Sequence, residues 1–311
     1  MQLTRQDIDI SGEIQQPHVR PWSTVLNVPT ARGILYFKAT AAALAHEVAL
    51  TQTLSQWRPD CMPRVLASNP ERGWMLLHDE GPMLRSLIQS TKDIHHWQHV
   101  LPVYALMQIE MSARQNELLA LGALDRRLAV LPEKYALLLD DKEALSIDHP
   151  QGLTSKEYQR LCELAPKFNS MCKKLADYRI PETLHHDDFH DGNIFVRNGR
   201  YVFADWGESC VAHPFFSMLV TMRSSAYSLK LEEGAPELEW LRDIYLEPWR
   251  RYGSCKNLLN AFDLAQRIGM VSRALTWYLV VSHLEEPFKK EYADAVPGWL
   301  QEFHKTEALS S

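Results

Sequence analysis

Three side chains with oxygen chemistry crowd into one short stretch, residues 183–207, TLHHDDFHDGNIFVRNGRYVFADWG: Asp188, Asn193 and Asp205. A divalent cation such as Mg²⁺ takes hard oxygen ligands, uses only one or two protein carboxylates and fills its other positions with phosphate and water. The Asn193 amide oxygen and the Asp205 carboxylate suit it, which leaves Asp188 free to act on a substrate. A hairpin would bring them together. Ile194–Arg197 and Arg200–Phe203 flank Asn198-Gly199, the dipeptide that best tolerates positive φ at both corners of a type I′ turn. If Arg197 pairs with Arg200, Ile194 lies opposite Phe203, and Asn193 and Asp205 emerge at the open end roughly 5 Å apart. Asp188 sits five residues before Asn193 on a polar loop, within reach of the same point.

The order Asp, Asn, hairpin, Asp-aromatic-Gly is what phosphoryl transfer asks of a protein kinase-like site: one Asp for the hydroxyl proton, then an Asn and a second Asp for metal. The run His186-Asp187-Asp188-Phe189-His190-Asp191-Gly192-Asn193, followed by Asp205-Trp206-Gly207, resembles the aminoglycoside phosphotransferase family. This is the choline, homoserine and fructosamine kinase-like group, whose motif runs HGDLHxGN and then DWG or DFG. The resemblance implies a bilobal α+β kinase-like fold, with Asp188 as catalytic base and Asn193 and Asp205 as metal ligands. A single Asp-Gly-Asn would mean little, since these residues crowd into any turn; the conjunction at this spacing carries the argument. His185, His186 and His190 invite a zinc reading, but without HExxH or a paired Cys or His cluster they read as hydrogen bonders bracing the loop.

The elements that must hold this stretch begin upstream. Residues 22–28 and 34–39 read as strands around the turn cluster Pro29-Thr30-Ala31-Arg32-Gly33, a second hairpin. Alternation puts Lys38 on the face of Ile34 and Tyr36, a face that otherwise looks buried, so the cation wants a partner. Residues 41–57 have helical periodicity, with Leu44, Val48, Leu50, Leu54 and Trp57 on one arc and Glu47 inside it. Lys38 and Glu47 therefore pair, as the kinase-like resemblance implies for a nucleotide's phosphates. On the letters alone, a solvated Lys and a surface Glu fit equally well. Residues 20–33 contain one glycine, so no GxGxxG loop cradles phosphates; Ser23, Thr24 and backbone amides are the substitutes available. Residues 74–77 read as a buried strand and residues 78–82 as a turn, the hinge in the fold resembled. The expected organisation is a nucleotide-binding lobe, 1–81, and a helical lobe, 82–311, holding the catalytic loop and the acceptor pocket.

After Pro82 the sequence turns helical, with segments expected at residues 83–89, 97–121, 131–139 and 155–178. Beyond the motif, a helix starting within residues 212–219 carries Ser217 where the family commonly has an Asp that braces the catalytic loop. A serine caps a helix but supplies no charge. The last third is rich in aromatic residues, among them Tyr227, Trp240, Tyr245, Trp249, Tyr252, Trp277, Tyr278, Tyr292 and Trp299. Their faces can hold a quaternary ammonium, and Glu208, Glu232 and Glu233 can hold amines, though helix packing explains any one aromatic equally well.

The frame is that of an ordinary globular chain: 311 residues, 46% hydrophobic, 23% charged. A net charge of −6 argues against a nucleic-acid surface and favours a cationic or neutral substrate. Five cysteines without a CxxC pair, and a start lacking a basic segment before an apolar run, point to a cytoplasmic protein with reduced thiols and no membrane span. The expected activity moves the γ-phosphate of ATP, or GTP, to a hydroxyl of a small molecule with Mg²⁺. The alternative is a pseudokinase-like module that binds nucleotide or metabolite without catalysis.

Overall fold

The computed structural model describes residues 8–232 and 234–309. Glu233, one of the acidic candidates, and residues 1–7 and 310–311 lie outside them. The chain first builds a five-stranded antiparallel sheet from β1 (Gln15–Arg20), β2 (Ser23–Thr30), β3 (Gly33–Thr40), β4 (Val65–Asn69) and β5 (Trp74–His78), ordered β1-β2-β3-β5-β4. A single helix, α1 (His46–Trp57), follows β3, after a tight turn at Ala42–Leu44 where the sequence predicts helix from residue 41.

The β2–β3 hairpin is longer than the turn cluster suggests. Pro29 pairs with Ile34 and Thr30 with Gly33, so only Ala31-Arg32 turn the corner. Thr30 closes the turn, its hydroxyl donating to the Gly33 carbonyl at 2.6 Å and accepting from the Arg32 N–H at 3.2 Å. The face argument needs correction at this end, because Ile34 is 42% exposed. Leu35, on the opposite face, packs with Val28 and Leu76 in a small separate cluster. At the other end of the Ile34 face, Lys38 and Thr40 are buried and both bond Glu47 on α1. β1 and β4 carry no sequence signal: β1 is exposed along its whole length, so nothing alternates, and its register shifts between Gln15 and His18, around Pro17.

Helices dominate from α2 (Leu84–Thr91) onward: α3 (His96–Met111), α4 (Gln115–Ala120), then, after the short β6 (Leu124–Asp125), α5 (Leu131–Asp140) and α6 (Ser155–Ala176). The single helix expected over residues 97–121 is broken at Ser112, whose hydroxyl donates to the Ile109 carbonyl at 2.7 Å and competes with the backbone ladder. α6 starts on a reciprocal cap, Thr154 with Glu157. Next come β7 (Thr183–His185), the hairpin β8 (Ile194–Arg197) and β9 (Arg200–Phe203), and β10 (Cys210–Ala212). The chain ends in α7 (Ser217–Leu229), α8 (Pro236–Leu246), α9 (Cys255–Ser282), α10 (Phe288–Glu291) and α11 (Ala295–Leu309). A large apolar core runs from Leu50 and Leu54 on α1 through Trp97 and Tyr104 on α3 to Ile268 and Val271 on α9. Among the described residues, no helix is long and apolar enough to cross a membrane.

Candidate active site

The hairpin register is the one read from the sequence: Arg197 pairs with Arg200, and Ile194 with Phe203, with Asn198 and Gly199 both at positive φ (52° and 76°). At the open end the Ala204 N–H reaches the Asn193 carbonyl at 2.9 Å, and Asp205 follows. Upstream, Phe189 fixes the loop. Its buried ring stacks on Tyr104 with centroids 3.7 Å apart and meets Phe203 edge-on at 5.2 Å. A large apolar anchor between Asp188 and His190 holds the backbone while both polar neighbours remain partly solvent-accessible.

Asp188 is held on both oxygens. His190 accepts at Nδ1 from the Gly192 N–H at 2.9 Å, which leaves Nε2 to donate to Asp188 Oδ2 at 3.1 Å. Asn193 Nδ2 donates to the same oxygen at 3.3 Å and to the Asp188 carbonyl at 3.0 Å. Oδ1 takes a hydrogen bond from Arg273 Nη2 at 2.9 Å. Burial pushes the Asp188 carboxyl up, but Arg273 and His190 outweigh it and hold it well below the usual carboxylate range.

Lys38 and Glu47 meet at 2.5 Å, and Lys38 also reaches Asp205 Oδ1 at 2.5 Å. The Thr40 hydroxyl donates to the other Glu47 oxygen at 2.8 Å. Burial alone would lower the ammonium's pKa; the two carboxylates reverse this and keep Lys38 charged. Desolvation likewise raises the Asp205 carboxyl, and Lys38 brings it below the usual range. Asp205 has φ 68° and ψ 62°, a left-handed turn in which its side chain stays 54% exposed. The donor set fits Mg²⁺. Asn193 spends its amide nitrogen on Asp188, leaving Oδ1 as an acceptor, and Asp205 has one oxygen beyond the one on Lys38.

The three histidines brace the loop. His186 donates from Nε2 to the Ala204 carbonyl at 2.8 Å, and burial pushes its pKa down to about 4. His185 bridges Asp187 Oδ1 at 2.8 Å and Ser217 Oγ at 2.7 Å. Ser217 does not cap α7; its hydroxyl sits between His185 and Tyr104, the latter at 2.8 Å. Ser217 thus adds no charge here, and the carboxylate on His185 is that of Asp187, at the ring's other nitrogen. Arg85 on α2 adds a brace, reaching Asp191 at 2.7 Å and His190 Nδ1 at 3.0 Å.

Two contributors escaped the sequence reading. Arg273 gave no local signal because it lies far downstream, on α9. Trp22, at the tip of the β1–β2 hairpin, meets Trp277 on α9 (5.8 Å between ring centroids) and Tyr292 just after α10 (5.1 Å), so two aromatic residues from the end of the chain clasp the glycine-poor hairpin. Among the other aromatic candidates, Tyr245 and Trp249 are wholly buried packing residues.

A sequence model of the phosphotransferase enzyme family, APH, matches residues 34–252, a span that contains Lys38, Glu47, Asp188, Asn193 and Asp205. The chain belongs to this family. No curated protein matches the sequence. Among solved structures, the fold is similar to an ethanolamine kinase of Plasmodium vivax, at 13% identity over 94% of this chain and 82% of that one, with a TM-score of 0.66. It is also similar to a choline kinase from Cryptosporidium parvum, at 14% identity over 96% and 90%, TM-score 0.63. A third likeness is to the streptomycin–ATP–APH(2")-IIa ternary complex, at 14% identity over 96% and 94%, TM-score 0.59. At these identities the likeness is one of fold.

Proposed function

We propose that this family member transfers the γ-phosphoryl group of ATP to a hydroxyl of a small molecule. The observation that carries the reading is that two polar clusters, Lys38–Glu47–Asp205 and Asp188–Asn193, stand at the open end of one hairpin, where the Ala204 N–H bonds the Asn193 carbonyl at 2.9 Å. In it, Asp188 orients the acceptor hydroxyl and takes its proton as the acceptor oxygen bonds to the γ-phosphorus. The bond from that phosphorus to the β,γ-bridging oxygen breaks, and ADP leaves. Lys38, held by Glu47, fixes the nucleotide phosphates, and Asn193 and Asp205 hold Mg²⁺. The bound Mg²⁺ supplies charge neutralisation on the phosphates. Residues 1–81 form the nucleotide lobe and residues 82–311 the acceptor lobe in this reading. A cationic acceptor fits the net charge of −6.

An Asp188→Asn variant should lose about 10³-fold in phosphoryl transfer and still bind Mg·ADP. Full turnover by that variant would remove Asp188 from its role. The second reading, a binding module without catalysis, is favoured by the glycine-poor β1–β2 hairpin. ADP release from Mg·ATP across amino sugars, choline, homoserine and neutral sugars separates the two, since a module binds nucleotide and releases none.

A further inference from the structure

Only one side of the Asp188 carboxylate is held by its own loop. His190 and Asn193 both contact Oδ2, so that oxygen alone would leave the group free to swing about its Cβ–Cγ bond. Oδ1 is held by Arg273, which lies on α9 beyond the residues that the family model matches. Arg273 is 6% exposed. Its Nη1 donates to Asp187 Oδ2 at 3.2 Å and also to Glu208 Oε2, and the Trp277 ring lies 5.6 Å from its guanidinium carbon.

This cluster is an expensive way to fill space. Breaking several charges out of water costs several kcal/mol per ion, and apolar residues of the same volume usually pack as well or better. Asp187 also holds φ at 64°, where the family's motif has glycine and where most side chains are strained. A planar fork spread over Asp187, Glu208 and Asp188 has one property an apolar filling lacks: it defines the orientation of a carboxylate.

Resting on the phosphotransferase reading, we propose that Arg273 is a positioning residue which, anchored by Asp187 and Glu208, locks the Asp188 carboxylate in the orientation that transfer requires. In this role the arginine acts through Asp188, whose Oδ1 it holds. Misplacing a reacting group by about 1 Å can cost on the order of 10²-fold in rate. Losing Arg273 should therefore appear in kcat and leave nucleotide binding alone.

The test uses the full chain with Mg·ATP and whichever panel acceptor releases most ADP. A wild-type chain that phosphorylates no acceptor overturns the phosphotransferase reading and this proposal with it. Given wild-type turnover, Arg273→Ala should lose about 100-fold in kcat while Mg·ADP affinity by calorimetry stays within about threefold. Arg273→Lys should recover part of the loss, and millimolar guanidinium should raise the alanine variant about tenfold without stimulating wild type. Where Arg273→Ala does not fold, Asp187→Asn takes its place, because asparagine keeps the shape and tolerates positive φ while releasing one anchor of the arginine. It should lose about tenfold in kcat at unchanged Mg·ADP affinity. Retention of kcat within about twofold in the variant used, or parallel loss of kcat and Mg·ADP affinity, overturns the positioning role.

Discussion

Lys38 is where the sheet, α1 and the hairpin meet, and its energetics follow from what it leaves behind when removed. Glu47 is fully buried, and Thr40 alone cannot satisfy a carboxylate there. Breaking a buried pair from one side typically costs about 3–5 kcal/mol, so Lys38→Met should lower unfolding stability in urea by about 3 kcal/mol. Adding Glu47→Gln should restore at least about half of that; strictly additive losses would contradict the pairing. This pair was legible because a charge at an inward strand position and another on an apolar helix arc each demand an explanation. Asp188, Asn193 and Asp205 were legible for a different reason, since a short loop and a two-residue turn fix their geometry locally. Arg273 was not, because nothing in a helix sequence says which of its arginines turns inward toward a loop read much earlier.

The β8–β9 hairpin does more than carry Asn193. The residues flanking its turn grip the segment after β5: Arg197 reaches Asp79 at 2.5 Å, and Arg200 reaches the buried Glu80 at 2.5 Å. Arg200 also donates to the carbonyls of Pro59, Asp60 and Met62. Gly81 allows the close approach, with φ at 96° and a Cβ position that would lie 2.4 Å from the Val196 carbonyl oxygen. Arg200→Ala should therefore cost about 3 kcal/mol, and Arg200→Lys should recover little, because one ammonium cannot serve four separated acceptors. Equal stability of the lysine variant and wild type by chemical denaturation would argue against this clamp. The hairpin and its register were readable because turn chemistry is local. The strands β1 and β4 were not, since one has no buried face and the other is only half-buried throughout.

Across the whole molecule, the bilobal α+β expectation holds as a fold, because helical periodicity and one Asn-Gly turn are set by local chemistry. The packing between distant elements, such as Trp22 on Trp277, has no sequence signature. Global stability carries its own pH signature through His213, which is buried and whose Nδ1 accepts the Phe215 N–H at 3.3 Å. Burial, with His185 adding to it, lowers its pKa from 6.5 to about 3. The unfolded chain thus takes up a proton that the folded one refuses, so this contribution is present above pH 6.5 and is lost as pH falls toward 3. Relative to His213→Asn, wild type should lose about 2 kcal/mol between pH 7 and pH 5 in urea titrations; a pH-independent difference would show that His213 is not neutral when folded.

The Trp22 clasp and the Arg273 fork also set an order of assembly. Both join residues made early to α9, which leaves the ribosome late. At about 5–20 residues per second, the first hairpin and the Asp187-Asp188 pair wait for seconds to tens of seconds before their aromatic and cationic partners exist. A message cut short before α9 would release a chain whose two neighbouring aspartates keep His185 and His190 but lack the arginine that bridges them, unable to finish the centre it had begun.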